Sequence, residues 1–304
     1  MKHQLRDIEY FSEIAERGNV GRAAEALGLS QPALSKSLRR LEKSLQAKLV
    51  KRLSRGIELT AVGKELHSHV RQLRLSLDDM TRAVTDLSLG RTGHLRIRSA
   101  PGYATYLLPV ACAELLEEAP NVTFDIAVMV DRNQALAAVS NGELDLSVTT
   151  IRMPVDSELA MERLYDEEFA VYTSAEHRLA RKKLVTLVDM TMEKWAMSAA
   201  NADTHRYLAQ AFSDAGLPPP RIAITSGSMV VRNLLVANSN LLGFTSKRIA
   251  QEALRHYNFV ELPVRELAYA RSIGVYYRRG AYLPPVAKRF IEALKKTASQ
   301  MGSD

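Results

Sequence analysis

Apolar residues recur at helical spacing near the start of the chain. Leu5, Ile8, Phe11 and Ile14 keep the spacing of one helix face and predict a first helix. Residues 22–27, RAAEAL, predict a second, shorter helix that ends just before a glycine. Because both segments have one apolar side, we expect them to pack together in a small helical domain.

A third helix is predicted after the turn at Gly28. Ser30 is suited to the N-cap and Pro32 to the first turn. The stripe expected to face a core consists of Leu34, Leu38, Leu41 and Leu45. The opposite face is expected to carry Gln31, Ser35, Lys36, Arg39, Arg40 and Lys43. A short helix, a glycine turn and a polar second helix form the helix-turn-helix pattern, whose second helix reads bases in the DNA major groove.

Basic residues are concentrated in this part of the chain. Residues 30–55 contain eight cations and one acid, Glu42, and the resulting excess of +7 equals the formal charge of the whole chain. A concentrated basic patch is typical of nucleic-acid binding, although a solvated helix face is the simpler alternative. Two extended pieces around Gly56 predict a basic hairpin, or wing, in which Arg52 and Arg55 could reach phosphates or the minor groove.

A heptad pattern follows, in a helix predicted over residues 61–89 with Thr60 as its cap. Its narrow apolar seam consists of Leu66, Val70, Leu73, Leu77, Met80, Val84 and Leu87. The seam could pack on the C-terminal part of the same chain. We favour pairing with a second copy, because a two-stranded pair would also place two recognition helices on one face of the DNA.

Beyond a hinge predicted at residues 90–93, strands alternate with helices. The predicted strands are 95–99, 122–130, 144–149, 169–173, 222–225, 241–245 and 272–277, and helices are predicted to 116 and over 134–139, 229–237 and 285–296. This alternation predicts an α/β domain with parallel sheets.

Small polar residues cluster in the loops after these strands, where open α/β sheets bind ligands. The predicted effector-binding residues are Ser99, Pro101, Gly102, Tyr103, Thr105, Asp131, Thr149, Thr150, Ser198, Thr204, Ser226, Gly227, Thr245 and Ser246. Asp131 and Arg152 could also tune ligand choice. Hydroxyls and free N–H groups suit a small-molecule effector such as a carboxylate. The alternative is that these residues only cap helices.

The chain has none of the common enzyme signatures, such as G-x-S-x-G, a Walker lysine loop or H-E-x-x-H. Its histidines are dispersed, so neither a metal nor a cofactor is predicted. The single Cys112 lies in an apolar segment and indicates a reducing compartment. No apolar run approaches a membrane span, and residues 1–7 lack a signal core, so we expect a cytoplasmic, nucleoid-associated protein.

Residues 23–63 resemble the LysR-type transcriptional regulators of bacteria. The resemblance rests on Ala23-Ala24, Ser30-Gln31-Pro32-Ala33, Ser35, Leu41-Glu42, Leu45, Leu49, Arg52 and Leu59-Thr60-Ala61-Val62-Gly63. The chain departs from the family at Gln46, where a Gly is usual, and at Val50, where a Phe is usual. We interpret both departures as local packing changes.

The resemblance implies a winged helix-turn-helix domain (1–60), a dimerising linker helix (61–89), a hinge (90–93) and an effector domain (94–304). The effector domain would have two α/β lobes like those of periplasmic solute-binding proteins. Lobe I would span about 94–165 and 269–304, and lobe II about 166–268, with crossings near 165–168 and 268–272. In the family, dimers pair into tetramers.

The resulting prediction is a transcriptional regulator whose binding to a double-stranded DNA operator responds to a small molecule. The DNA-binding residues would be Ser30, Gln31, Pro32, Ala33, Ser35, Lys36, Arg39, Arg52 and Arg55. Two alternatives compete with this prediction. One is an enzyme or solute carrier with an incidentally basic N-terminus, and the other is an architectural DNA binder without an effector.

Overall fold

The computed structural model describes residues 2–53, 56–88, 93–199, 202–254 and 256–300. The chain forms two compact units, Met1–Val84 and Thr85–Asp304. The elements that begin in the first unit are α1 (Lys2–Arg17), α2 (Val20–Ala26), α3 (Gln31–Ser44), β1 (Val50–Leu53), β2 (Gly56–Leu59) and α4 (Ala61–Ser88). All three predicted N-terminal helices are therefore present, and α2 begins two residues earlier than expected.

Helices α1, α2 and α3 enclose one apolar core around Phe11, Ile14 and Leu34. The prediction for Leu45 is wrong. This residue is the C-cap of α3 and its side chain is 45% exposed, because the helix ends at Ser44 before the stripe reaches the core again. Leu38 and Leu41 are buried as expected.

The turns on either side of α3 use the left-handed backbone region. Gly28 has φ +64°, which glycine adopts without a steric penalty. Gln46 has φ +51° although it carries a side chain. The departure from the family at this position is therefore a matter of backbone conformation rather than packing, since a glycine would relieve about 1–2 kcal/mol of local strain.

Strands β1 and β2 form the predicted antiparallel hairpin, with Arg52 opposite Ile57. Gly56 has φ +111°, and a Cβ at this position would lie 2.5 Å from the carbonyl oxygen of Gly18. Ile57 N–H donates to the same oxygen at 2.9 Å. The hairpin is thus fixed against the α1–α2 turn. Arg55 lies outside the described residues.

Helix α4 begins at the predicted cap, where the Thr60 hydroxyl accepts a hydrogen bond from Gly63 N–H at 3.0 Å. The predicted seam is shorter than expected. Leu66 is partly buried against the N-terminal core and Val70 is only 5% exposed, so both pack within their own chain. Arg74, which flanks the stripe, donates to Glu16 of α1 at 2.9 Å. The remaining described seam residues are exposed and are Leu73, Leu77, Met80 and Val84. The side chain of Leu87 lies outside the described part of the chain.

The second unit contains the α/β elements. Its helices are α5 (Pro101–Tyr106), α6 (Leu108–Glu118), α7 (Arg132–Ser140), α8 (Leu187–Met190), α9 (Ala202–Asp214), α10 (Met229–Ala237), α11 (Lys247–Leu254) and α12 (Pro285–Gln300). Its strands are β3 (His94–Ser99), β4 (Thr123–Val128), β5 (Leu146–Thr150), β6 (Leu159–Ser174), β7 (Lys194–Ser198), β8 (Arg221–Ser226), β9 (Leu241–Ser246), β10 (Phe259–Leu262) and β11 (Ala270–Arg278).

The strands follow the order β4-β3-β5-β11-β6-β9-β7-β8, with β10 paired to β6. The expected parallel pairing is present between β3 and its neighbours β4 and β5, and between β7 and its neighbours β8 and β9. It does not extend to the whole sheet, because β11 runs antiparallel to both β5 and β6, and β6 runs antiparallel to β9. Strand β6 changes partners between Glu168, which pairs with β11, and Phe169, which pairs with β9. We use the name lobe I for residues 93–168 and 270–300, on the β11 side of this change, and lobe II for residues 169–269, on the β9 side.

Each lobe has its own apolar core. In lobe I, Phe290 of α12 and Leu115 of α6 cover the sheet, and in lobe II Trp195 packs edge-on against Phe212. Gly93, the last residue of the predicted hinge, is buried, and a Cβ there would lie 2.5 Å from Val286. Gly93 is therefore fixed to lobe I. Residues 90–92 lie outside the described residues.

Candidate functional site

The exposed face of α3 carries a polar and basic surface. Gln31, Ala33, Lys36 and Arg39 are exposed, and Pro32 lies beside them in the first turn. Ser30 caps the helix, and its hydroxyl accepts from Ala33 N–H at 3.3 Å. Among the described residues, no carboxylate forms an ion pair with the exposed cations Lys36, Arg39 and Lys43 of α3 or Lys51 and Arg52 of β1.

Ser35 was predicted to lie on this surface and does not, whereas Arg40 is exposed as predicted but is paired with a carboxylate. Ser35 is only 9% exposed, because at about 100° per residue it falls beside Glu42 at the edge of the core-facing stripe. Arg40 is engaged by Asp7 of α1, to which its Nε donates at 2.6 Å. Asp7 is buried and also accepts from Ser37. Arg40 therefore fixes α3 on α1 rather than serving as a free DNA contact.

The buried carboxylate of Glu42 joins the end of α3 to the beginning of the wing. It accepts from Leu49 N–H at 3.0 Å and from Lys48 Nζ at 2.7 Å. Burial opposes ionisation of Glu42, but the hydrogen bonds from Lys48 and Leu49 outweigh it and lower the pKa of the carboxyl group. The pair Leu41-Glu42 belongs to the motif that carries the family resemblance, and Glu42 has a structural role in it.

We expect Glu42→Ala to destabilise the first unit by about 1–3 kcal/mol, because the buried N–H of Leu49 loses its acceptor. Glu42→Gln keeps an acceptor and should cost less. Since the folded pKa lies below the unfolded value of about 4.3, the charge-dependent stabilisation is complete above that pH and disappears as pH falls through the folded pKa. Urea unfolding followed by circular dichroism at pH 7 and pH 3 measures both effects. If the free energies of unfolding of wild type and Glu42→Gln differ by the same amount at both pH values, the stabilising role assigned to the Glu42 charge is wrong.

A cavity of about 70 Å³ lies between the two lobes of the second unit. Seven of the predicted effector residues line it, namely Pro101, Gly102, Tyr103, Thr149, Thr150, Ser198 and Thr245. Its other lining residues are Ala100, Met129, Val130, Arg132, Arg152, Phe169, Met229, Arg232, Phe244, Ile249 and Arg271. The cavity is small compared with ordinary ligand pockets of about 300–1,000 Å³, so it suits a ligand of few atoms.

The other seven predicted effector residues are not among the cavity-lining residues. The Ser99 hydroxyl donates to Val148 O within lobe I, and the Thr105 hydroxyl donates to Pro101 O on its own helix. Asp131 is the N-cap of α7. The Ser226 hydroxyl accepts from Ser228 N–H. For these four residues, the alternative of a local structural role fits better. Thr204 and Ser246 are buried, and Gly227 packs near Val130.

The lobes approach each other closely around the cavity. A Cβ at Gly102 of lobe I would lie 2.3 Å from Ile249 Cδ1 of lobe II, so only glycine fits there without a shift. Arg152 of lobe I forms an ion pair with Asp203 of lobe II. The cavity is thus bounded by direct contacts between the lobes, and a ligand inside it would touch both.

A buried polar cluster connects the cavity to the strands that cross between the lobes. The Tyr103 hydroxyl donates to Glu167 Oε1 at 2.7 Å, and Arg271 Nε donates to the same oxygen at 2.5 Å. Burial opposes the charge of Arg271, but its neighbours Tyr103 and Glu167 raise the pKa of its guanidinium. Burial beside Glu167 raises the pKa of the Tyr103 hydroxyl. Both groups therefore keep their protons at neutral pH and hold the crossing strands to α5.

The predicted effector residues did not include the arginines Arg132, Arg232 and Arg271. Arg232 carried a usable signal, since it is the one charged residue in the apolar segment MVVRNLLVA of α10. Arg271 carried none, because its position beside Glu167 depends on strand register. No helix among the described residues is long and apolar enough to cross a membrane.

Comparison with known families agrees with both parts of this architecture. The family described as "Bacterial regulatory helix-turn-helix protein, lysR family" matches residues 5–64, and the "LysR substrate binding domain" matches residues 88–299. The second match alone spans more than half of the chain. The chain therefore belongs to the LysR family of bacterial transcriptional regulators.

Individual relatives match over nearly their whole length. The RuBisCO operon transcriptional regulator of Allochromatium vinosum is 27% identical over 305 residues, covering 99% of this chain and 98% of the relative. The transcriptional regulator CbbR of Rhodospirillum rubrum is 27% identical over 294 residues, covering 97% and 96%. The crystal structure of full-length CbnR complexed with its target DNA has the same fold, with a TM-score of 0.54 and 22% identity over 96% of this chain and 99% of that one.

These comparisons confirm the predicted class. The protein is a DNA-binding transcriptional regulator with an effector-binding domain, and it is not an enzyme. The predicted order of a helix-turn-helix domain followed by a two-lobe α/β domain is confirmed as well.

Proposed function

We propose that the protein binds a double-stranded DNA operator as a homodimer, with α3 of each copy in a major groove. The observation that carries the proposal is the exposed face of α3 with Gln31, Lys36 and Arg39, to which the wing adds the exposed cation Arg52. Cations without carboxylate partners are available to phosphates, and groups in the first turns of a recognition helix reach base edges.

The residues proposed to contact DNA have different roles. Gln31 bridges an adenine, Lys36 and Arg39 contact guanine or phosphate, and the Ala33 methyl group packs on a thymine methyl. Arg52 supplies attraction to phosphates that does not depend on sequence. Ser30 and Pro32 shape the start of the helix. The same phosphate-binding role is proposed for Arg55, which lies outside the described residues.

The dimer is proposed to form through the exposed part of the α4 stripe, from Leu73 to Val84. This stripe keeps the alternating spacing of a coiled-coil seam, and its exposed apolar side chains would be removed from water by a second copy. Pairing of such dimers into tetramers remains a prediction from the family. The proposed site of action is the cytoplasm, on the nucleoid.

The effector is proposed to be a small anion, such as a carboxylate, bound in the cavity between the lobes. A ligand that touches both lobes favours one arrangement over another, and it shifts that equilibrium by its difference in affinity for the two. The support is the set of cavity-lining hydroxyls and arginines. We propose that the effector changes how many DNA half-sites the protein occupies more than its affinity for one half-site.

The assignment of DNA contacts predicts two different responses to mutation. Gln31→Ala should cost about 1–3 kcal/mol of binding free energy and relax specificity at one base position. Arg52→Ala should weaken binding to all sequences alike and reduce the salt slope by about one unit. Arg221→Ala, which removes an exposed cation from lobe II, serves as the charge control. Titrations of operator and scrambled DNA at several salt concentrations distinguish these effects. If Gln31→Ala leaves both affinity and base preference unchanged, α3 is not the reading helix.

A further inference from the structure

The charged side chains that line the interlobe cavity are all positive. Its lining contains four arginines, namely Arg132, Arg152, Arg232 and Arg271, and no Asp or Glu. Two of them have carboxylate partners just outside the lining, since Asp203 pairs with Arg152 as well as with Arg206, and Glu167 pairs with Arg271. Two cationic groups remain.

Arg232 of lobe II is the more buried of these two groups. It is only 7% exposed, and its Nη1 donates to the backbone oxygen of Ser226 at 2.6 Å. Among the described residues, no carboxylate forms an ion pair with it. Burial lowers the pKa of its guanidinium from the ordinary value. Buried charges in proteins are normally paired with an opposite charge. The described residues supply no such counter-ion to Arg232.

Arg132 of lobe I lies on the other side of the same cavity. Its Nε donates to Thr150 O at 2.9 Å, its Nη2 donates to the Tyr276 hydroxyl at 3.2 Å, and its guanidinium lies over the Tyr276 ring. These contacts fix its position without neutralising its charge, and no carboxylate among the described residues forms an ion pair with it. The cavity thus has one fixed, unneutralised guanidinium on each lobe.

We propose that the cavity binds a small dianion, a short dicarboxylate or a phosphate monoester, whose negative charges are shared between Arg132 of lobe I and Arg232 of lobe II. This inference rests on the proposed effector-regulated function and specifies the ligand class. Charged hydrogen bonds to guanidinium groups favour carboxylate and phosphate oxygens over neutral acceptors. The hydroxyls of Thr149, Ser198 and Thr245 line the same cavity and can donate to the remaining oxygens.

The arrangement also explains how such a ligand would act on the lobes. Without an anion, the two guanidinium groups repel each other across the cavity and oppose close approach of the lobes. A dianion replaces this repulsion by attraction to both sides and stabilises the contacts of Gly102 with Ile249 and of Arg152 with Asp203. A monoanion would neutralise only one lobe and should bind more weakly.

The test is a ladder of compounds with nearly the same shape and different charge. Succinate, succinamate and succinamide carry two, one and no negative charges, and glycerol 3-phosphate with glycerol tests the phosphate source. Binding to the full chain is measured by calorimetry and by the thermal shift of Trp195 fluorescence, since Trp195 lies in the core of lobe II. We expect at least one of the two dianions to bind, and its uncharged counterpart not to bind at the same concentration.

Variants then assign the binding to the two arginines. Arg132→Gln and Arg232→Gln should each weaken binding of that dianion about 10- to 100-fold. Arg221→Gln removes an equal charge from the surface of lobe II and should leave binding unchanged. Equal binding of neutral and charged compounds, binding of neither dianion, or full affinity in both cavity variants would overturn the proposal. If the dianion binds but leaves the operator footprint unchanged, the ligand class stands and the proposed regulation fails.

Discussion

A Met80→Asp variant is expected to lose about 10²- to 10⁴-fold in affinity for a two-half-site operator while keeping its affinity for one half-site. Met80 is 58% exposed in the middle of the α4 stripe, between Leu77 and Val84. In a two-stranded pair it would be buried, and a carboxylate there would be desolvated beside apolar side chains. Loss of the pair turns one bivalent binding event into two independent ones.

Gln72→Asp is the matched control for this variant, because it places the same charge at an exposed position of α4 outside the stripe. Sedimentation should show dimers or larger assemblies for wild type and Gln72→Asp, and dissociation of the α4 pair for Met80→Asp. Circular dichroism checks that the helices remain folded. A Met80→Asp protein that retains full operator affinity and its assembly state would exclude the stripe as the dimer interface.

Gly63→Ala is expected to destabilise the first unit by about 3 kcal/mol or more. The variant should therefore unfold, and lose DNA binding, at a lower temperature than wild type. A Cβ at Gly63 would lie 2.0 Å from the carbonyl oxygen of Leu49, and this oxygen also accepts the Thr60 N–H at 3.0 Å. The Leu49 oxygen and the Cα of Gly63, which would carry the Cβ, both belong to the backbone at the junction of the wing and α4. Rotation of a side chain therefore cannot relieve the overlap.

Gly28→Ala provides the comparison, because an added Cβ there has nothing within 4 Å and faces only the cost of φ +64°. It should cost about 1–2 kcal/mol. Circular dichroism and DNA binding follow the first unit, whereas fluorescence of the single Trp195 reports on lobe II alone. Gly63→Ala should therefore lower the unfolding temperature of the first unit and leave the unfolding temperature measured by Trp195 fluorescence unchanged. A smaller effect for Gly63→Ala than for Gly28→Ala would contradict the close packing.

The N-terminal fold was predictable because its signals are local. Ser30, Gly28 and the leucine stripe each act within one or two turns of helix, so the cap, the turn and the buried face of α3 follow from the sequence. Ser35 marks the limit of this reasoning. It shares the core-facing side of α3 with Glu42, a buried polar residue that accepts from Leu49 N–H, and an apolar stripe does not predict the burial of polar residues.

The second unit was harder to predict because non-local pairing determines it. The first ten residues of β6, LAMERLYDEE, lack the alternation of a half-buried strand and are held by pairing with β11, which lies far along the chain. The same topology brings Arg271 beside Glu167. Half of the predicted effector residues line the cavity. Of the arginines that set its charge, Arg132 begins α7 and Arg232 lies inside α10, whereas Arg271 is placed by the pairing of β11 with β6.

Selection of DNA sites from a random library, followed by footprinting of the selected sequences, tests the central account most directly. A homodimer that reads DNA with α3 should select two related half-sites whose centres lie one helical turn, about 10–10.5 base pairs, or a multiple of it apart. Gln31→Ala should lose the preference for the same base in both half-sites. An architectural binder would select no repeated motif, and that result, or a single site unaffected by Gln31→Ala, would contradict the account.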